Sequence, residues 1–447
     1  MKYRLAMIIA LCVVSTAIAE SPSPVSFPFW DEEDVREVVG PISFGATLLE
    51  KEGLTEGYPP MLFGCEVPRG DGAAWVYGWK LTHWDSRDTR TVEVVRVSTK
   101  DGRNFSDEET VFSQVNRDWQ GFVNLVHRPT DGHLFLFSWS AGRLMVYEST
   151  DGKEWKKLTD EAYTGHDAMN VIWYPPFQGL LNFQNTLEKT NKRYPDNINE
   201  YRRVVVFRRS QDGVNWEDFS PPFLMGGKHW TPDEKDPIDL EFYRSVVFPT
   251  QGRYAMLIQD YYPPPPEANS RRKTTKHGPR SEVEWAISRD GLNWKRPFRE
   301  IDATQHVGVL AVQGPLVREG MLRFYERDRA ITSVREGRIF YVTGRGNAEV
   351  STPAFAMPSG GLKCDADVRY KPYEGETGRA YLMAELRDGE NRVIPGYERQ
   401  HCLFENIDAQ GLPLLWGGKN GGELEGRQVQ LKMYFRDAKL YSVSEIR

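Results

Sequence analysis

The segment Ser149-Thr150-Asp151-Gly152-Lys153-Glu154-Trp155 recurs along the chain as S-x-D-G-x-x-W, at Ser210 to Trp216 and again at Ser288 to Trp294. A looser copy, Ser98 to Phe105, reads as the same pattern with one extra residue and Phe in place of Trp. An Asp-Gly pair tolerates positive φ at both central positions, so it closes tight hairpins whose twist matches the flanking strands. The aromatic residue returns on the following strand, where it can wedge against a neighbouring sheet. Each copy follows a strand-like run: Val92 to Val97, Leu144 to Tyr147, Val204 to Phe207 and Val283 to Ile287. A hairpin that recurs with its own strand and anchor is a repeat unit, and such units assemble radially into a β-propeller.

At 447 residues the chain exceeds one ordinary core, so two domains are expected. Lys2 and Arg4 precede the apolar run Leu5 to Ala17, and Ala17-Ile18-Ala19 offers a small-residue cleavage site. This predicts a secretory signal peptide over residues 1–19, cut after Ala19, and a secreted or periplasmic protein. The run falls short of the roughly 20 residues that span a bilayer, and no later segment could span. A formal charge of −6 and a pI near 5.9 give no electrostatic footprint for nucleic acid. Cys65, Cys364 and Cys402 would remain after cleavage; Cys364 and Cys402 can pair or persist as buried thiols. No Cys/His array supports a metal site, and no cofactor is expected.

Residues 20–57 read as a lead-in, with an irregular Ser/Pro-rich spacer at Ser21 to Pro28 and a solvated acidic run at Asp31 to Asp34. Residues 58–347 divide into five blades: Tyr58 to Phe105, Trp119 to Trp155, His166 to Trp216, Asp236 to Trp294, and His306 to Gly344. The fifth blade, with strands at Met321 to Tyr325 and Arg338 to Val342, lacks the Asp-Gly signature, as a terminal repeat can. Insertions are expected at Thr186 to Glu200 and at Pro263 to Arg280. Residues 348–447 alternate short apolar runs with Gly-rich turns and read as a small antiparallel β-sandwich. No long amphipathic helix is legible, so the fold class is all-β.

Together, the signal-like N-terminus, the S-x-D-G-x-x-W turns, Asp236-Pro237-Ile238-Asp239 before a Tyr-rich strand, and the C-terminal β-region resemble the secreted five-bladed propellers of glycosyl hydrolase families 32 and 43. The resemblance spans most of the chain, and it implies a carbohydrate substrate or ligand. The family 32 motif W-M-N-D-P-N-G is absent, as are R-D-P and Glu-Cys. Family 43 acids come from the first three blades, whereas the most suggestive acids here fall in blades three and four.

In a propeller the inner strands converge on the axis, so residues at their entrances face a shared pocket. Glycoside hydrolysis needs one protonated carboxyl group and one ionised one. The candidate catalytic residues are Asp167 at the entrance of blade three, and Asp239 and Glu241 at that of blade four. Strand alternation would place Asp239, Glu241 and Tyr243 on one face, where the two acids repel and perturb each other. Alternatively Asp236 and Asp239 hold a turn while Glu241 pairs with an arginine. His166, Asn170, Asp236, Tyr243 and His306 are the candidate substrate-binding residues, with Trp119 and Trp230 as further sugar-stacking surfaces. Glu326 and Glu66 are outlying acids, and Asn104-Phe105-Ser106 fits a glycosylation sequon. Hydrolase elbows, phosphate loops and zinc-protease signatures are absent. The expected activity is cleavage of a poly- or oligosaccharide; the alternative is a non-catalytic carbohydrate-binding propeller.

Overall fold

The computed structural model describes residues 25–54, 57–86, 89–117, 123–164, 168–190, 200–237, 239–262, 280–299, 303–304, 314–325, 330–369 and 379–446. The expected signal peptide and its cleavage site lie outside these. The described chain is all-β, its helical elements being single 3-10 turns such as Glu32–Asp34 and Pro175–Phe177. Among the described residues, no helix is long and apolar enough to cross a membrane.

Five antiparallel sheets follow one another in chain order. The first joins Leu62–Pro68, Ala74–Ser86, Thr89–Thr99 and Ser106–Arg117; the second joins Val123–His127, Leu134–Ser140, Arg143–Ser149 and Lys156–Thr159. The third joins Met169–Tyr174, Gly179–Lys189, Tyr201–Ser210 and Glu217–Phe219, with His229–Trp230 added along its third strand. The fourth joins Glu241–Thr250, Arg253–Tyr262, Arg280–Ser288 and Trp294–Lys295. In the fifth, Leu316–Arg318, Met321–Tyr325 and Ala330–Arg335 are completed by Glu50–Leu54 from the far N-terminal side.

Apolar side chains explain why these sheets form a ring. One buried cluster joins the first sheet to the second through Trp79, Val94, Leu125 and Leu136. Three more join the second to the third, the third to the fourth, and the fourth to the fifth. The last, with Phe63, Val76 and Val95 against Leu316, Tyr325 and Ile331, joins the fifth back to the first. A two-sided sheet buries both faces only if it has a neighbour on each side, and closing the cycle supplies one for every sheet.

The recurrent turns weld this ring. Ser149, Ser210 and Ser288 accept a hydrogen bond from the amide of Gly152, Gly213 and Gly291 at 2.9, 2.9 and 2.8 Å. In the looser copy Thr99, not Ser98, accepts from the Gly102 amide at 2.9 Å, so its spacing matches the others and the extra residue disappears. Only the glycines are left-handed, with φ of 73°, 72°, 77° and 77° at Gly102, Gly152, Gly213 and Gly291. Each Asp instead caps the turn, as Asp212 does by accepting from the Val214 and Asn215 amides at 2.9 and 2.8 Å. The turn is therefore an Asp-capped loop and not the expected two-residue hairpin. Each turn docks on the preceding sheet: the Tyr325 hydroxyl donates to the Gly102 carbonyl at 2.5 Å, and that of Tyr174 to the Asp290 carbonyl at 2.6 Å. The anchors wedge as expected, Trp216 against Phe137 and Trp294 against Phe183, each with ring centroids 5.8 Å apart.

Two six-stranded sheets share a separate core that includes Leu382, Leu431, Phe435, Leu362 and Leu440. Their strands come from both ends of the chain. Ser26–Pro28 pairs with Lys439–Glu445, Glu37–Val39 with Asn347–Ser351, and Ile42–Ala46 with Phe340–Gly344. The expected spacer thus ends in a strand. Phe340–Gly344, expected in the fifth blade, also belongs here, because its far edge pairs with Lys439–Glu445. Likewise, Thr186 to Lys189 is not an insertion but continues a strand in register with Tyr201 to Val204. Cys364 and Cys402 are buried in this core as free thiols, with burial pushing the Cys402 thiol up to about 12.

Candidate functional site

The first strands of the first four sheets lie side by side, and asparagines couple the second to the third and the third to the fourth. Asn124 accepts from the Val171 amide at 2.6 Å, and Asn170 from the Val247 amide at 2.9 Å. Asn170 is fully buried. Its oxygen is committed to holding the third sheet's inner strand against the fourth's, which corrects the expectation that it meets substrate.

The entrance of the fourth sheet gathers most of the described candidates. Asp239 is half-buried on a turn closed by the Leu240 amide on the Pro237 carbonyl at 3.0 Å. The strand begins only at Glu241, so alternation does not extend back to Asp239. Glu241 pairs with Tyr261, Phe242 with Asp260 and Arg244 with Gln259, which leaves Tyr243 as the extra residue of a bulge. A bulge turns a side chain out of the regular alternation. Tyr243 uses that freedom to lie beneath two guanidinium groups, its ring centroid 5.1 Å from Arg203 and 5.4 Å from Arg244.

Glu241 is fully buried, and its Oε2 accepts from Arg203 Nη1 at 2.6 Å. Arg203 also stacks 5.2 Å from the Tyr261 ring. The acid is therefore part of an ion pair clamped between two tyrosines. A buried carboxylate paired in this way is held in place but kept from solvent.

Asp236 is held by two arginines. Arg296 grips it with both terminal nitrogens, at 2.6 and 2.9 Å, and Arg299 adds a contact at 3.1 Å. The Asp236 amide donates to the Asp233 carbonyl at 3.0 Å, so this acid holds a turn and is not presented to a substrate. Trp230 is buried against Phe242, Phe223 and Trp294 and serves packing. Glu66 is half-buried; burial raises its pKa, while its ion-pair partner Arg318 opposes the rise. His166, Asp167, His306, Trp119 and Glu326 lie outside the described residues.

Asp260 and Glu284 were not singled out from the sequence. Both are nine-tenths buried on adjacent strands of the fourth sheet. Burial, followed by the charge of Glu284, pushes the Asp260 carboxyl up to about 8. Burial also raises Glu284, against the pull of Arg296. The only sequence signal was Asp260 just beyond the apolar run Tyr254 to Ile258. Among the described residues, no group of three or more His, Cys, Asp or Glu side chains is arranged to hold a metal ion.

No family model and no curated protein matches the chain. Among solved structures, it is similar to a family 117 glycoside hydrolase of Zobellia galactanivorans, with 10% identity and a TM-score of 0.37 over 68% of this chain and 84% of that one. A glycosyl hydrolase from Bacteroides ovatus matches at 13% identity and a TM-score of 0.38, over 68% and 94% of the two chains. An N-acetylgalactosamine deacetylase from F. plautii, in complex with blood group B trisaccharide, matches at 12% identity and 0.37, over 88% and 95%. At such distances the fold rests on the cycle of sheets itself, not on these likenesses.

Proposed function

We propose that the chain is an exported carbohydrate-active protein. It cleaves a poly- or oligosaccharide at the mouth of the ring by carboxylate acid/base chemistry, as the resemblance to glycosyl hydrolase families 32 and 43 implies. The observation that carries this reading is the fourth-sheet entrance. There a half-buried acid, Asp239, precedes a bulged Tyr243 and an Arg203–Glu241 pair. An aromatic face suits the C–H side of a sugar ring, and guanidinium groups suit its hydroxyls. Asp239 and Asp167 are the acids proposed to act on the glycosidic bond. Glu241 acts through Arg203 and so is a positioning residue. His166, Tyr243 and His306 are proposed to hold the substrate.

Asp239→Asn should lower turnover by about 10²–10⁴-fold, the usual worth of a general acid or base. Glu241→Gln should weaken the site less and raise KM as Arg203 loses its partner. Assays of the purified protein on a broad glycan panel decide the matter. Full turnover in Asp167→Asn and Asp239→Asn would remove both acids from the mechanism. A second reading, a non-catalytic carbohydrate-binding propeller, is favoured by the commitment of Asp236 and Glu241 to arginines. Binding without turnover across that panel would establish it in place of the first.

A further inference from the structure

The crossover from the third sheet to the fourth delivers Asp239 to the entrance of the fourth sheet, and a buried charge cluster fastens it. Arg296 lies at the centre of this cluster. It holds Asp236 at 2.6 and 2.9 Å, donates from Nε to Glu284, and covers the Phe242 ring at 4.7 Å. The side chains of Arg296, Asp236 and Glu284 are only 3%, 4% and 9% exposed. Arg299 braces the same turn through Asp233 at 2.7 Å.

Asp260 sits behind this grip, directly opposite Phe242 in the sheet register and 5% exposed. Its Oδ1 has no hydrogen-bond partner among the described residues. The groups acting on Asp260 are Glu284 and Glu282 of the adjacent strand, Asp236 of the crossover, and Arg296. Asp236, Glu284 and Asp233 already outnumber Arg296 and Arg299, three acids to two bases. A further ionised carboxylate here is uncompensated in a low-dielectric seam, so Asp260 keeps its proton.

We propose that Asp260, Glu284 and Arg296 form a proton-dependent latch on the crossover that carries Asp239. While Asp260 is neutral, Arg296 holds both Asp236 and Glu284. When Asp260 ionises, its charge draws Arg296 from Asp236 and repels Glu284, and the turn from Asp233 to Leu240 loosens. Burial and the charge of Glu284 raise the Asp260 carboxyl well above the usual carboxylate range, so the latch is closed at pH 6 and opens as pH rises through the raised value.

Amide hydrogen exchange on the full-length protein, corrected for intrinsic rates, tests this without any substrate. The latch and the proposed glycan chemistry therefore fail separately. The reporters are the Asp236 and Leu240 amides, which donate within the turn. Their protection should fall at least about tenfold between pH 7 and 9.5 relative to first-sheet amides, since release of the turn is a local opening. Asp260→Asn mimics the protonated acid and should hold protection across the range. Glu284→Gln removes the neighbouring charge and should move the midpoint to lower pH. Constant protection in the native chain, the same alkaline loss in Asp260→Asn, or an unmoved midpoint in Glu284→Gln would each overturn the latch.

Discussion

At the scale of single residues, the turn glycines show how one backbone conformation meets different surroundings. Gly132, Gly152 and Gly213 have φ of 79°, 72° and 77°. A Cβ on Gly132 would meet nothing within 4 Å, on Gly213 the Phe135 ring at 3.4 Å, and on Gly152 the Tyr77 hydroxyl at 1.9 Å. Gly132→Ala should cost about 1 kcal/mol for the left-handed backbone alone. Gly152→Ala should cost a further 1–3 kcal/mol, roughly, because it forces apart the first and second sheets. Denaturant midpoints order the two variants, and equal losses would remove sheet docking as the reason for glycine here. Asn104 of the sequon is already engaged. Its side-chain amide donates to Asp101 at 2.6 Å, as those of Asn215 and Asn293 do to Asp212 and Asp290.

At the scale of an element, the Asp-capped turn is a unit with its own pH dependence. Burial opposes ionisation of Asp101, but the Asn104 and Arg103 amides prevail and hold its carboxyl at about 2. A depressed carboxylate contributes stability that is present above its unfolded pKa, about 3.9, and is lost as pH falls through the folded value. Asp101→Asn keeps an acceptor but not the charge. It should cost about 1 kcal/mol at neutral pH, discounted for solvent screening, and should flatten the stability curve between about pH 4 and pH 2. Urea titrations across that window measure both effects; an unchanged acid slope would mean that the carboxylate plays no such part. The turns were legible because Ser, Asp, Gly and Trp each have a local task at fixed spacing. The Thr99 register was harder to see, since Ser98 and Thr99 are adjacent hydroxyls and only the bond to the Gly102 amide distinguishes them.

At the scale of the molecule, the N-terminal segment ties the two parts together. Its strands enter both six-stranded sheets, Glu50–Leu54 completes the fifth sheet of the ring, and Asp34 plugs into the fourth. Asp34 accepts from Arg253 at 2.6 and 2.9 Å and from Arg289 at 2.7 Å, with its side chain 2% exposed. The acidic run that reads as solvated therefore ends in a buried plug. Asp34→Ala strands Arg253, while Arg289 keeps Asp31 and Glu33, and should cost about 1–3 kcal/mol, read as a fall in the thermal midpoint. A loss under 1 kcal/mol would show that the plug does not fasten the segment to the ring.

The sequence by itself determined the all-β class, the repeat, the wedge aromatics and most strands of the ring, because strand alternation, turn chemistry and aromatic burial are local. It also marked Asp239 and Glu241 as an unusual pair of acids at a strand start. Only the tertiary structure decided which arginines hold Glu241 and its neighbour Asp236. Arg203, 38 residues from Glu241, claims that carboxylate, and Arg296, 60 residues from Asp236, claims the acid of the turn before it. Partnerships between charges depend on which strands become neighbours, and no local spacing encodes them. The same reason hid the N-terminal strands, whose partners lie hundreds of residues away, and the buried pair Asp260 and Glu284, whose behaviour comes from the seam that encloses them.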